Sequence, residues 1–530
     1  MIQWLHDAIF YEIYPQSFYD SNGDGIGDLA GILHKLDYIQ DLGCDAIWIN
    51  PCFDSPFKDA GYDVRNYKKI APRYGTNEDA RLLFDEAHKR GLHVILDLVP
   101  GHTSEEHPWF LESKKVKPNA FSNRYVWTDS WGTWAGGLKT ILGEADRNAS
   151  YIVNFFKSQP ALNYGFFKPD QVWQLPPDHP DCIATREAIK DVMRFWLDRG
   201  CDGFRVDMAS SLVKFDSPDH TGTVAIWQDI RTMLDKEYPD TVLIAEWSEP
   251  KYAISAGFDA DFLLDFANEG KIGSKTLLRD YYPLLNPESD NSFFRAEGNG
   301  DIKRFLDVYL PHYEATKETG FISLITGNHD VVRAAHNLTQ EELKIAYAVI
   351  LTMPGVPFIY YGDEIGMRYL NLPSKEGGYD RTGARTPMQW TSGFNRGFST
   401  APTDSLYLPF DPRPDAPTVE EQQDDDESLL NTVKKFIELR HNTPSLRDNK
   451  NFEVLKGEGH VFVYKRDELV IAANPGKTVQ KVKMPYNRTY EKRSILEIVS
   501  LGSSCTWDGG ELRLGAGSFA VWSVACAGSR

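Results

Sequence analysis

One texture recurs along the chain and limits its fold more than any other feature. An amphipathic helical pattern is followed by a glycine break, then by a short apolar run ending in a polar or acidic residue. It appears as HKLDYIQDLGCDAIWIN (34–50), ARLLFDEAHKRGLHVILD (80–97) and IKDVMRFWLDRGCDGFRVD (189–207). Helices alternating with wholly apolar strands need crossover connections, and therefore a parallel sheet buried on both faces. Eight runs fit such strands: Ile9–Tyr14, Ala46–Ile49, His93–Leu98, Gly203–Val206, Val242–Ala245, Phe262–Leu264, Phe321–Leu324 and Pro357–Tyr360. Eight predict an α/β chain closed into a (β/α)8 TIM barrel. An open, doubly wound dinucleotide-binding sheet would need a Gly-rich phosphate turn after an early strand, and no GxGxxG stands there.

Two stretches interrupt the alternation. The segment between the third and fourth strands, 101–202, begins Trp- and Gly-rich without helical periodicity, as an inserted subdomain over one end of a barrel would. After LLNTVKKFIELRHNTPSLR (429–447) the texture becomes short alternating strands (HVFVYK, ELVIAAN, SFAVWSV) separated by Gly and Asn, which predicts a C-terminal antiparallel β-sandwich. The expected division is a barrel over 1–103 and 171–445, an inserted subdomain over 104–170, and the sandwich over 446–530.

Charge narrows the partners. With 57 Lys and Arg against 76 Asp and Glu, the net charge of −19 repels phosphate backbones and anionic lipid, and argues against nucleic acid or membrane. Neutral, polyhydroxylated partners are left, and no feature sets an oligomeric state. The longest apolar stretch, Ala346–Gly362, is broken by Pro354, Gly355 and Pro357, so it reads as helix, turn and strand rather than a membrane span. Cys44, Cys52, Cys182, Cys201, Cys505 and Cys526 form no CxxC or Cys/His cluster, and the N-terminus lacks the basic start and apolar stretch of a secretory signal. Both features predict a cytoplasmic protein with scattered buried thiols. Aromatic residues at 13% suit either a sugar-stacking cleft or an aromatic-rich core.

Function in such a barrel sits where the strands end at their C-terminal side. Polar residues gather there in few places: Asp97 and His102 after the third strand, Arg205 and Asp207 at the fourth, Glu246 at the fifth, and Asn328-His329-Asp330 after the seventh. Asp207, Glu246 and Asp330 would face one another across one mouth, and carboxylates that close do not share one pKa. Cleavage of a glycosidic bond needs such an arrangement: one carboxylate attacks the anomeric carbon while another, kept protonated, gives its proton to the departing oxygen. Arg205, two residues before Asp207, points to the same side of its strand and helps hold it ionised. For any one of these acids alone, a helix cap or a rim ion pair is the alternative. Near the N-terminus, Asp20-Ser21-Asn22-Gly23-Asp24-Gly25-Ile26-Gly27-Asp28 places oxygen donors at every second residue, as in the first half of a calcium loop, although Gly31 stands where a bidentate Glu would close it. A Gly/Asp-rich turn without metal is the alternative there.

Through DLVPGH (97–102), GFRVD (203–207), AEW (245–247) and GNHD (327–330), in order and at similar spacing, the chain resembles glycoside hydrolase family 13, the α-amylase superfamily. QPALN (159–163), MPGVPFIYYGDEIGM (353–367) and RTPMQW (385–390) are similar to the branch of α-glucosidases, oligo-1,6-glucosidases and trehalose synthases. The resemblance implies Asp207 as nucleophile, Glu246 as general acid and then base, and Asp330 as transition-state stabiliser. It further implies that His102 and His329 bond sugar hydroxyls, that Tyr62 stacks on the sugar, that Asp63 clamps its non-reducing end, and that Phe155 lines the pocket. Calcium is implied as a structural ion on Asp20, Asn22, Asp24, the carbonyl of Ile26, and Asp28. The family pattern is broken at Gly101, where Asn is usual, at Ala161 and Thr391, where Asp is common, and at Met208 after the nucleophile. Linkage preference is therefore left to the loops 121–145 and 371–385. The expected activity is a retaining α-glucosidase acting on short oligosaccharides. A trehalose synthase-like isomerase or transglucosylase, and a catalytically inactive carbohydrate-binding or transporter-associated homologue, are the alternatives.

Overall fold

The computed structural model describes residues 2–264, 275–280, 290–377, 381–484, 493–508 and 510–526. Eight parallel strands close into a barrel: β1 (Phe10–Ile13), β2 (Ala46–Ile49), β3 (His93–Leu98), β4 (Gly203–Val206), β5 (Val242–Ala245), β6 (Ala260–Phe262), β7 (Phe321–Ile325) and β8 (Val356–Tyr360). Each pairs with its sequence neighbours, and β1 closes the ring on β8 with Phe10 opposite Phe358. The sixth strand begins two residues earlier than its apolar run suggested, because Asp261 stands within it. That buried carboxylate accepts the backbone N–H groups of Trp247 at 2.9 Å and Ser248 at 3.3 Å, which ties the end of β5 to β6.

Alternation along each strand sends every second side chain inward. Phe10, Trp48, Ile95, Val242, Ile244, Ala260, Phe262, Phe321 and Phe358 fill the barrel, with the rings of Phe10 and Phe358 stacked 4.4 Å apart. Leu5 and Ala8 pack against that filling from the N-terminal side. Continuing the alternation toward the C-terminal ends puts Glu12, Asn50, Asp97, Arg205, Asp207 and Glu246 on the same inward face. The apolar plug thus ends in a charged floor.

The outward faces pack on helices such as Asn77–Lys89 and Gln340–Thr352. Each opens with a reciprocal capping box, Thr76 with Asp79 and Thr339 with Glu342, which satisfies amides that the first turn leaves unpaired. Between β3 and β4, the segment expected as an insertion builds a small core of Val126, Ala135, Ile152, Ala161 and Phe166 around the Thr140–Ile141 and Tyr151–Ile152 pairing. It lies against the barrel mouth through main-chain bonds from Leu162 N–H to the Gly101 carbonyl (3.0 Å) and from Thr103 N–H to the Pro160 carbonyl (3.3 Å).

At the C-terminus, a five-stranded antiparallel sheet (order 452–458, 461–466, 469–474, 518–526, 493–502) faces a three-stranded one (480–483, 511–514, 505–507). Val463, Val470, Ala472, Leu512, Leu514 and Trp522 lie between them. Two fully buried arginines meet beneath this unit, Arg440 from the helix Leu429–Asn442 and Arg466 from the strand 461–466, and Arg466 ties the unit to the barrel. Arg440 donates to the carbonyls of Leu351, Met353 and Gly355, and Arg466 to that of Thr352, so both occupy the C-terminal end of helix Gln340–Thr352, where the dipole favours cations. Cys44, Cys52, Cys182, Cys201 and Cys505 are free and buried, while the Cys526 side chain lies outside the described residues. Among the described residues no helix is long and apolar enough to cross a membrane.

Candidate active site

Arg205 is the hub of the charged floor. One nitrogen, Nη1, lies 3.0 Å from Asp97 Oδ1 and 3.1 Å from Asp207 Oδ1, while Nη2 lies 2.9 Å from Glu246 Oε2. Asp207 and Glu246 therefore converge on one guanidinium although 39 positions apart in the chain, counting 246 − 207. Met208, directly after Asp207, adopts a left-handed conformation (φ 44°), and its N–H reaches the same Glu246 oxygen at 2.9 Å. A non-glycine residue held there is strained, and such strain gathers at functional sites. Burial and the neighbouring Glu246 charge raise the Asp207 pKa well above the usual carboxylate value, with Arg205 opposing both. Burial likewise lifts Asp97 to about 6 against the pull of Arg205.

Asp330, in the loop after β7, joins the floor through His329 at 3.5 Å and Tyr62, which bonds both His329 and Asp97, and has the opposite electrostatics. Burial alone would raise its pKa, but Arg381, His329 and Arg385 hold it well below the ordinary range. Arg381 Nη1 and Arg385 Nη2 stand 2.8 Å and 2.7 Å from its Oδ1. Its side chain keeps 34% exposure, whereas those of Asp207 and Glu246 keep about a third of that, so Asp330 has the most open face of the three.

The two expected histidines differ in their company. His329 stacks on Tyr62 with ring centres 5.4 Å apart, meets the Tyr62 hydroxyl at Nε2 (2.6 Å), and rests by Nδ1 on Glu12 (2.9 Å). Burial drops its pKa to about 3, and its imidazole is neutral at physiological pH. His102 bonds the Tyr62 carbonyl through Nε2 at 3.0 Å and meets the Phe155 ring edge-on at 6.1 Å. Burial lowers it to about 4.

Asp63 is placed differently from its expected role. Its carboxylate is spent within its own loop, accepting the Lys58 N–H at 3.0 Å, the Asp59 N–H at 3.1 Å and the Ser55 hydroxyl at 3.0 Å. The acid that turns toward the site is Asp59, which pairs with Arg381 and accepts from Gln159 Nε2 at 2.6 Å. Sequence reading missed Asp59, Arg381 and Arg385. Gln159 and Arg385 stand inside motifs already singled out and could have pointed to them. Residues 378–380 of the loop 371–385 lie outside the described residues.

The 20–28 loop sits apart from these carboxylates. Gly23 and Gly25 take left-handed conformations (φ 78° and 91°), and Asp20 accepts the N–H of Gly23 at 2.7 Å and of Gly25 at 2.8 Å. Asp28 caps the helix Leu29–His34 by accepting from Gly31 N–H. Among the described residues no three carboxylate, His or Cys side chains meet at one point. A cation here would rest on mixed carboxylate, amide and main-chain oxygens, the hard donor type that calcium takes.

Residues 12–449 match the family model described as alpha amylase, catalytic domain. The chain belongs to the α-amylase family. It is 32% identical to an oligo-1,6-glucosidase of Heyndrickxia coagulans over 92% of this chain and 94% of that one. It is 34% identical to a trehalose synthase/amylase of Mycolicibacterium smegmatis, covering 82% and 76%. Among solved structures, an α-glucosyl transfer enzyme superposes with a TM-score of 0.80 at 28% identity, covering 99% of this chain and all of that one. An isomaltulose synthase of Erwinia rhapontici, solved with sucrose, superposes at 0.79 with 25% identity, covering 98% and 99%.

Proposed function

We propose that this α-amylase family member is a retaining α-glucosidase that removes terminal glucose from short α-linked oligosaccharides. The observation that carries the reading is the single guanidinium of Arg205 bridging Asp207 and Glu246. Two carboxyls on adjacent nitrogens of one side chain favour the short separation of nucleophile and acid over the wider one that admits a water. Asp207 attacks the anomeric carbon as carboxylate. The bond to the leaving oxygen breaks, and Glu246 supplies the proton that oxygen takes. Water then displaces the ester at the same carbon, giving its proton to Glu246 and releasing glucose with the original configuration. Turnover requires Asp207 as the carboxylate and a proton available from Glu246. Asp330, held ionised by two arginines, adds negative charge where the sugar carbon becomes positive.

Transfer of the glucosyl group to a sugar in place of water is the second reading, favoured by the likeness to trehalose synthase/amylase and to isomaltulose synthase. Incubation with maltose, isomaltose, sucrose and trehalose separates the two. Free glucose is the hydrolytic product, and a new disaccharide is the product of transfer. Silence on all four sugars would refute both in favour of a binding protein. The five free, buried cysteines support a cytoplasmic location.

We further propose that Asp20, Asn22, Asp24, the Ile26 carbonyl and Asp28 hold a structural calcium ion. An ion bound only to the folded state raises stability by mass action, about 2.7 kcal/mol at a hundredfold excess over Kd. Chelation should lower Tm by several degrees and added calcium restore it. An unchanged Tm in both conditions would dismiss the ion.

A further inference from the structure

Residue 101 has no side chain, and the space beside it is taken by another residue's. A Cβ on Gly101 would stand 2.9 Å from Asn154 Nδ2, an amide reaching in from the segment between β3 and β4. That nitrogen donates to the Gly101 carbonyl at 3.0 Å and meets His102 Nδ1 at 3.2 Å. The other end of the amide, Oδ1, accepts from Lys214 Nζ at 3.1 Å. Lys214 is 8% exposed, and its ammonium also donates to the Ser211 carbonyl at 3.1 Å.

The donors and acceptors in this chain leave one assignment. An ammonium only donates, so it faces the amide oxygen; a carbonyl only accepts, so the Gly101 oxygen faces the amide nitrogen. The second amide hydrogen then points at His102 Nδ1, which must carry a lone pair. His102 consequently holds its proton on Nε2, where the Tyr62 carbonyl accepts it. Tyr62 in turn bonds Asp97 and His329.

We infer that Asn154 is a positioning residue which, oriented by Lys214, fixes the tautomer and ring setting of His102 at the site, and that Gly101 is required to admit it. The inference rests on the placing of His102 in the substrate pocket under the proposed function. Burial holding His102 near 4 and Lys214 near 8 is consistent with a neutral ring facing a cationic anchor around pH 6.

The test is a set of substitutions assayed for kcat/KM and Tm on whichever sugar the wild-type enzyme turns over. Asn154→Asp keeps, and by charge strengthens, the contact with Lys214, but removes the N–H groups that face His102 and the Gly101 carbonyl. A merely structural Asn154 would show itself in Tm, through the lost bond to the Gly101 carbonyl, and leave the pH profile unmoved. The inference expects Tm to hold while kcat/KM drops at least tenfold. It also expects a new pH dependence between about 5 and 8, as the introduced carboxylate lets His102 charge. Lys214→Met removes the donor to the amide oxygen and loosens the setting of Asn154, so it should lose part of the same factor, and Lys214→Met with Asn154→Asp should not multiply the two losses. Gly101→Ala alone should impair activity by collision with the amide, and Asn154→Gly in that background should relieve the collision without restoring activity. Wild-type kcat/KM and an unaltered pH profile in Asn154→Asp would overturn the inference, as would independent, multiplying losses for Lys214 and Asn154. If wild type turns over none of the four sugars, the proposed function fails first; the Nε2–H tautomer of His102, read from imidazole 15N shifts of wild type and Asn154→Asp, then decides the inference alone.

Discussion

Replacing Arg205 by leucine should uncouple Asp207 from the charge that opposes its protonation. The guanidinium bonds Asp97, Asp207 and Glu246 at 3.0, 3.1 and 2.9 Å and is almost fully buried. Two unit charges about 4 Å apart interact by roughly 4 kcal/mol at an effective dielectric constant near 20. At 1.36 kcal/mol per pKa unit, that is a rise of about 3 units for a carboxylate losing this partner. Proton uptake by Asp97, already at about 6, relieves part of the repulsion among the three acids. The net upward movement of Asp207 is therefore about 1 to 3 units, and on the acid limb of the profile kcat/KM should fall by a factor between about 10 and 10³. The assay is kcat/KM on a nitrophenyl α-glucoside from pH 5 to 9, with Tm recorded at each pH. The acid limb of the profile should move to higher pH by the same number of units. Arg205→Lys should restore part of that displacement but little of the rate, since one ammonium cannot span three carboxylates as a planar fork does. An acid limb that stays where it was in Arg205→Leu, in a folded protein, would refute the assignment of Arg205 as the group that keeps Asp207 ionisable.

Asp207→Asn should fold with wild-type Tm, because an amide oxygen can still face Arg205, and lose on the order of 10⁴ or more in turnover, since no ester can form; retained turnover would remove Asp207 from the nucleophile role. Asp59→Ala removes one of the acids that pair with Arg381 and should raise KM about tenfold while changing kcat less, and an unchanged KM would separate Asp59 from the site. Asp259, on the opposite face of the barrel, is raised by burial to about 6 although Leu243 N–H and Arg231 bind it. A carboxyl raised in the fold stabilises most below its unfolded value near 4, and that contribution is lost as pH climbs through about 6. Asp259→Asn should therefore gain on wild type by about 3 kcal/mol between pH 4 and pH 7 in denaturant titrations, whereas a pH-independent difference would contradict the shift.

Much of this fold was legible because a parallel barrel demands continuous apolar strands, and those leave an unambiguous trace. Seven of the eight were read to within a residue at each end. The sixth slipped because Asp261 interrupts the apolar run, and a strand acid satisfied by amides of the preceding loop has no local signature. That Asp207, Glu246 and Asp330 lie past strand ends was legible for the same reason in reverse: each ends or closely follows an apolar run. Choosing between Asp59 and Asp63 was a different problem. Both lie in one loop where Phe57 and Ala60 take left-handed conformations, and those turns, rather than any periodicity, decide which acid faces outward. The partner of Gly101 was hidden as well, since Asn154 is distant in sequence and only the three-dimensional crossing of two segments brings it alongside.

Arg440 and Arg466 have a consequence for anyone shortening this polypeptide. Severing the chain before residue 451 would keep Arg440 but delete Arg466, stripping the carbonyls of Thr352, Leu446 and Asp448 of their donor and opening the end of the helix to solvent. The trailing β-unit is thus closer to a keystone than an ornament, and melting should take both parts together in one step.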